Sequence, residues 1–172
     1  MGFIFLTGGI RSGKSSLAVR WSRDTRGPVT YIATAEPGDH EMAARIDRHR
    51  NERPEAWFTR EVPIDLADAL RGVEGGSAIV DCLTLWVSNL MQAGSSDEEV
   101  LARSQEAASV ASESRADVYV ISNEVGSGIV PANELARRYE DLLGRVNAMW
   151  ASRASSAFLV VAGRFLRLEK PG

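Results

Sequence analysis

The chain has 172 residues, of which 44% are hydrophobic and 25% charged, and its net charge is −3. That composition is ordinary for a soluble globular protein, and the length corresponds to about one domain, with a core that can bury roughly two-thirds of the unfolded surface. The slightly acidic balance argues against a protein whose main task is nucleic-acid binding, which needs a basic face to neutralise phosphates.

Cys82 is the single cysteine, so an internal disulfide is excluded and the chain fits a reducing compartment. It lies in an apolar stretch and reads as an inert buried thiol. No run approaches the ~18 apolar residues of a membrane helix. The opening Met-Gly-Phe-Ile-Phe-Leu-Thr lacks a basic leader and a cleavage site. We therefore expect a cytoplasmic protein, one domain over residues 1–172, with no membrane span.

Apolar runs and helical patterns alternate along the chain, which predicts an α/β fold with a mostly parallel central sheet. Phe3 to Thr7 is a short buried strand ending in glycines, and Lys14 to Arg23 has helical character. Val29 to Ala33 is a second strand after the turn pair Gly27-Pro28. Asp39 can cap a helix running to about Asn51, with Met42, Ile46 and His49 on one face. Trp57 to Val62 alternates like a half-exposed strand, and Pro63 to Arg71 reads as a short helix. Ser77 to Val80 is a buried strand ending at Asp81. Leu83 to Met91 is a helix, apolar nearly all round, that suits either the core or an interface. Gly94-Ser95-Ser96 is a loop, followed by a helix from Asp97 to about Ser114. Val118 to Ser122 is a strand, and Asn123 to Val130 a glycine-rich loop. Pro131 suits a helix start, with that helix running to about Arg153. Ala157 to Ala162 is a buried strand, and Arg164 to Leu168 a final edge strand.

The chemistry concentrates first in Gly8-Gly9-Ile10-Arg11-Ser12-Gly13-Lys14-Ser15, which fills the P-loop pattern G-x-x-x-x-G-K-[ST]. The glycines let the backbone wrap a phosphate with its amides pointing inward, and the loop feeds a helix N-terminus whose dipole favours an anion. Lys14 can reach the β- and γ-phosphates, and Ser15 can coordinate Mg²⁺. A P-loop enzyme also places an acid at the end of another strand, near the metal; Asp81 fits, though it could equally cap the following helix.

The guanine-reading Asn-Lys-x-Asp of a regulatory GTPase is absent, since Asn123-Glu124-Val125-Gly126 has the asparagine without the lysine or aspartate. A motor or nucleic-acid ATPase would suit a longer chain. A small-molecule kinase or a nucleotidyl transferase suits this length best. The second concentration is Arg45-Ile46-Asp47-Arg48-His49-Arg50-Asn51-Glu52-Arg53, four arginines around one of only two histidines. It reads either as a solvated helix face or as a triphosphate clamp around a reactive imidazole. In the second reading clustered positive charge keeps His49 neutral and nucleophilic. His40 reads as a surface histidine.

Taken together the sequence resembles the bifunctional adenosylcobinamide kinase / adenosylcobinamide-phosphate guanylyltransferase family of cobalamin biosynthesis. The resemblance runs essentially end to end. Its blocks are Thr7 through Ser15; Tyr31-Ile32-Ala33-Thr34-Ala35; Glu41 through Ile46 with His49-Arg50 and Arg53-Pro54; Asp81-Cys82-Leu83-Thr84-Leu85-Trp86; Ser122 through Gly126 with Ile129-Val130-Pro131; Gly144-Arg145-Val146-Asn147; and Val160 through Gly163. It implies a P-loop, RecA-like three-layer sandwich. It also implies phosphorylation of adenosylcobinamide by a nucleoside triphosphate, GTP or ATP with Mg²⁺, and then transfer of GMP from GTP onto adenosylcobinamide phosphate. His49 stands where the family has its guanylylated histidine; this chain has Arg48-His49 where two adjacent histidines are common. Nucleotide contacts carry over to Gly8, Gly9, Ile10, Arg11, Ser12, Gly13, Lys14 and Ser15, to Ala33, Thr34 and Ala35, to Arg50, Asn51, Glu52 and Arg53, and to Glu61 and Asp81, with Ser15 and Asp81 on the metal side. Gly163-Arg164-Phe165 lacks the proline expected there. The resemblance also implies a homotrimer. The alternative is a P-loop small-molecule kinase that lacks the guanylyl transfer step, with a non-enzymatic nucleotide sensor as a third reading.

Overall fold

The computed structural model of the chain describes residues 2–36, 54 and 56–170. Seven strands form one sheet: β1 (Phe3–Thr7), β2 (Val29–Ala33), β3 (Phe58–Glu61), β4 (Ser77–Asp81), β5 (Asp117–Ile121), β6 (Ser156–Val161) and β7 (Arg164–Leu168). Their spatial order is β3-β2-β4-β5-β1-β6-β7. The first six run parallel, and β7 returns antiparallel along β6. The described helices are α1 (Lys14–Arg23), α2 (Leu66–Arg71), α3 (Leu83–Gln92), α4 (Asp97–Glu113) and α5 (Glu134–Arg153).

Strand side chains alternate between two cores, as the pleat requires. Phe3, Phe5, Ile32, Val80, Val118 and Val120 pack with residues of α2, α3, α4 and α5. Leu6, Tyr31, Ile79, Tyr119 and Ile121 pack on the other face with Leu17 and Ala18 of α1. Burial on both faces is why the central strands read as unbroken apolar runs. Trp86 and Trp150 anchor the larger core at 1% and 0% exposure. Their indole N–H groups donate to the Ile64 carbonyl at 2.7 Å and to Ser104 Oγ at 2.9 Å. Truncating a tryptophan buried in this way costs about 3–5 kcal/mol. The smaller core closes at its edge with an aromatic cluster, in which Trp21 of α1 meets Phe158 and Phe165 edge-on at centroid distances of 5.2 and 5.4 Å. Phe165 thus pins β7 to α1.

The expected elements recur with small shifts. The strand expected over 118–122 runs one residue earlier, and the helix expected from Pro63 begins at Leu66. The helix expected from Pro131 begins at Glu134. Asn133 caps it, its Oδ1 accepting from the Ala136 amide at 3.1 Å. The Pro131 and Ala132 carbonyls instead accept from the Arg137 guanidinium. A side-chain acceptor outcompetes the proline signal because it satisfies an otherwise orphaned first-turn amide. Ser96 and Glu99 form a reciprocal capping box at the start of α4. The apolar stretch from Leu83 belongs to the core: Leu83, Trp86, Val87 and Leu90 are all buried. The helix expected from Asp39 to Asn51, with His40 and His49, lies outside the described residues.

Candidate nucleotide-binding site

All six parallel strands point their carboxyl ends to one edge of the sheet, where α/β sheets bind ligands. Register sets the residues along that edge: Glu61 of β3 pairs with Ala33 of β2, Ala33 with Asp81 of β4, and Asp81 with Ile121 of β5. The loop after β1 opens beside them.

That loop, residues 8–13, needs glycine at two points for different reasons. Gly8 has φ +148°, and a Cβ there would lie 2.1 Å from the Val160 carbonyl oxygen of β6, so the backbones approach too closely for any side chain. Gly13 has φ +102° and stands at the N-cap of α1, so it offers no side chain to the first-turn amides. No acidic residue occupies that turn. The helix start is thus left to bind an anion.

Lys14 is only 6% exposed. Its Nζ donates to the carbonyls of Gly8 at 2.9 Å and Gly9 at 2.7 Å and to Ser12 Oγ at 3.3 Å. The ammonium therefore sits inside the loop, where the β- and γ-phosphates of a bound nucleotide would be met. Two neighbours brace the loop from outside. The Glu124 amide donates to the Gly8 carbonyl at 3.1 Å, and the Gly163 amide in the β6–β7 turn donates to the Ser12 carbonyl at 2.8 Å.

Ser15 Oγ donates to Asp81 Oδ2 at 3.1 Å, across the intervening strand β5. The Tyr31 hydroxyl donates to the same carboxylate oxygen. Asp81 does not cap α3, whose N-cap is Cys82 and which has no side-chain cap. Oxygens on one edge of an octahedral Mg²⁺ shell of radius about 2.1 Å lie about 3 Å apart. The Ser15–Asp81 pair fits that edge, and Mg²⁺ takes few protein ligands beside phosphate and water. Among the described residues no cluster of three His, Cys, Asp or Glu suits a metal bound entirely by protein.

The structure brings Gly8 through Ser15, Ala33, Thr34, Glu61 and Asp81 to this edge. It commits the Thr34 side chain to the scaffold: Oγ1 donates to the Cys82 carbonyl at 2.7 Å and accepts from the Cys82 amide at 2.8 Å, fully buried. Asn89 Nδ2 adds a bond to the Thr34 carbonyl at 2.7 Å. Ala35 follows, half-buried. His49, Arg50, Asn51, Glu52 and Arg53 lie outside the described residues. Burial, with the Asp81 charge adding to it, pushes the Cys82 thiol from 9.0 up to about 11, so it is inert at neutral pH.

Sequence reasoning missed Tyr31 as a partner of Asp81, although the two-residue strand period puts Tyr31 and Ala33 on one face. It also missed a buried polar network under the loop after β5. The Ser122 hydroxyl donates to Asn147 Oδ1 at 2.6 Å, Asn147 Nδ2 donates to the Asn123 carbonyl at 3.0 Å, and the Asn123 amide donates to Thr84 Oγ1 at 2.7 Å. The available signal was an amide in the apolar stripe Leu142, Leu143, Val146, Asn147, Trp150.

Comparison with known proteins bears on what this edge is for. The sequence model of the cobinamide kinase / cobinamide phosphate guanyltransferase family matches residues 4–168. The chain belongs to that family. Membership assigns it a kinase and a guanylyltransferase activity in adenosylcobalamin biosynthesis, and with them the use of nucleotides. A bifunctional adenosylcobalamin biosynthesis protein CobP of Pseudomonas aeruginosa is 43% identical over 161 residues, covering 92% of each chain. A CobU protein of Escherichia coli with the same description is 38% identical over 180 residues, covering 96% of this chain and 99% of its own. Solved structures agree in fold alone. A type III secretion system ATPase superposes with TM-score 0.57 at 11% identity, over 92% of this chain and 50% of its own, so this chain spans half its length. The RadB recombinase gives 0.50 at 17% identity, over 92% and 73%. The family's P-loop thus sits on the RecA-like sandwich expected from the sequence.

Proposed function

We propose that a single P-loop domain spanning the chain phosphorylates adenosylcobinamide and then transfers GMP from GTP to the product, giving adenosylcobinamide-GDP. The observation that carries this reading is the family match across residues 4–168, which takes in both the P-loop and His49. The loop amides and Lys14 hold the triphosphate, and Ser15 and Asp81 hold Mg²⁺, which supplies charge neutralisation at the phosphates. Tyr31 fixes the carboxylate of Asp81. Ile10 and Arg11, with Ala33, Thr34, Ala35 and Glu61, line the nucleotide's path along the strand ends.

In the kinase step the hydroxyl of the substrate's aminopropanol arm attacks the γ-phosphorus of GTP or ATP. The bond to the bridging oxygen breaks, and the nucleoside diphosphate leaves. In the transferase step an imidazole nitrogen of His49 attacks the α-phosphorus of GTP and pyrophosphate leaves, giving a guanylylated histidine. The phosphate of adenosylcobinamide phosphate then attacks that phosphorus and releases the imidazole. Splitting the transfer gives each displacement a good leaving group. Arg50 and Arg53, with Asn51 and Glu52, contact the phosphates and the nucleoside beside His49.

The protein acts in the cytoplasm as a homotrimer. The first half of that reading is supported by the lone buried thiol and by the absence, among the described residues, of a helix long and apolar enough to cross a membrane. The trimer rests on the family resemblance, and sedimentation in solution tests it. The reaction is tested by incubating the protein with Mg²⁺, GTP and adenosylcobinamide. The product expected by mass is adenosylcobinamide-GDP. Accumulation of adenosylcobinamide phosphate alone would leave only a kinase. GTP labelled at the α-phosphate tags the wild type covalently, and His49→Ala abolishes the tag; undiminished labelling would overturn the role of His49.

A further inference from the structure

The polar network under the β5 exit has no part in the chemistry just described, yet it is buried and each of its side chains is hydrogen-bonded. Ser122 is 0% exposed, Asn147 7% and Thr84 8%. Asn123 has both backbone groups held by side chains of two different helices. Its amide donates to Thr84 Oγ1 of α3, and its carbonyl accepts from Asn147 Nδ2 of α5. The Tyr139 hydroxyl donates to the Thr84 carbonyl at 3.0 Å, which ties α5 to the start of α3 as well. The next peptide is thereby held in place, and its amide, that of Glu124, donates to the Gly8 carbonyl.

The Gly8 carbonyl has a second donor, Lys14 Nζ at 2.9 Å. A triphosphate draws that ammonium toward its β- and γ-phosphates. The Glu124 amide then keeps the carbonyl paired. Without it, a buried carbonyl would lose its partner when Lys14 turns, and would hold the lysine back. We propose that Asn147, together with Thr84, is a positioning residue: by fixing Asn123 it keeps the Glu124 amide on the Gly8 carbonyl and so frees Lys14 for the phosphates. Both side chains are buried, and neither is among the nucleotide contacts proposed above. The inference rests on the P-loop reading above.

The test is a ratio of affinities. Asn147→Leu keeps the branching and the number of side-chain heavy atoms and removes both bonds. Thr84→Val keeps the shape and removes the acceptor of the Asn123 amide. Affinities for GTP and for GMP are measured by calorimetry with Mg²⁺. GMP has no β- or γ-phosphate, so it makes no call on Lys14. Both variants are expected to weaken GTP by roughly three- to tenfold, the worth of one net hydrogen bond, and GMP by less than about twofold. A merely structural defect lowers the folded fraction and weakens both nucleotides alike, leaving the ratio untouched. If Asn147→Leu does not fold, Thr84→Val decides alone. An unchanged GTP-to-GMP ratio in a folded variant overturns the proposal. A wild type that binds GTP no better than GMP would instead overturn the P-loop reading beneath it.

Discussion

Gly8→Ala isolates the geometric demand of the loop. The added Cβ would lie 2.1 Å from the Val160 carbonyl oxygen, where real Cβ contacts stay above 3.0 Å. Either the P-loop or β6 must therefore move by about 1 Å in a close-packed setting. The φ of +148° adds a backbone penalty of about 1–2 kcal/mol, and forced packing adds about 1–3 kcal/mol. The total is about 2–5 kcal/mol, which for a chain of this size lowers the melting temperature by about 5–15 °C. Gly9→Ala is the control: a Cβ there meets nothing within 4 Å, so its melting temperature should stay within about 2 °C of wild type. Thermal denaturation followed by circular dichroism reads both. A GTP titration of Gly8→Ala should also show weakened binding, because the Gly8 carbonyl and the Lys14 ammonium shift together. Melting of Gly8→Ala within about 1 °C of wild type, with GTP affinity intact, would refute the close-approach argument.

Thr34→Val removes both bonds to the Cys82 peptide and leaves a buried amide unpaired; it should cost about 2–3 kcal/mol, read as a fall in the urea midpoint at unchanged slope. The Cys82 thiol carries its own pH dependence. Its pKa is raised in the fold, so the folded state holds the proton more tightly, and the resulting stability is present below about pH 9 and is lost as pH rises toward 11. Cys82→Ala should flatten stability against pH between those values, measured by chemical denaturation. Tyr139, whose phenol is also raised by burial, continues the decline at higher pH in both proteins.

Much of this was legible in the sequence where a local signal coincides with its cause. β1, β2, β4 and β6 read as strands because sandwiching makes them apolar throughout. The P-loop read correctly because its residue types serve a phosphate within eight consecutive positions. Asp81 stands at the strand end expected of it because the strand that ends there is short and apolar. The failures share one origin, which is bonding between distant segments. Nothing local to Thr34 announces that its hydroxyl will close on the Cys82 peptide. Asn147 stands in an apolar stripe, and only packing beside β5 shows which backbone it holds. Pro131 carried a helix-start signal that the Asn133 cap outcompeted. Glu61 reaches the site edge only through its register with Ala33.

The position of β1 has a consequence for how the protein comes into being. β1 is translated well before the two strands it pairs with, β5 and β6, and the loop that follows it is finished by an amide of the β6–β7 turn. The growing chain therefore carries an apolar segment and a half-built phosphate cradle until β5 and β6 have been made. Such long-range pairing slows folding and leaves unpaired edges exposed meanwhile. Nucleotide binding thus waits for the β6–β7 turn, although the loop that confers it is translated well before that turn.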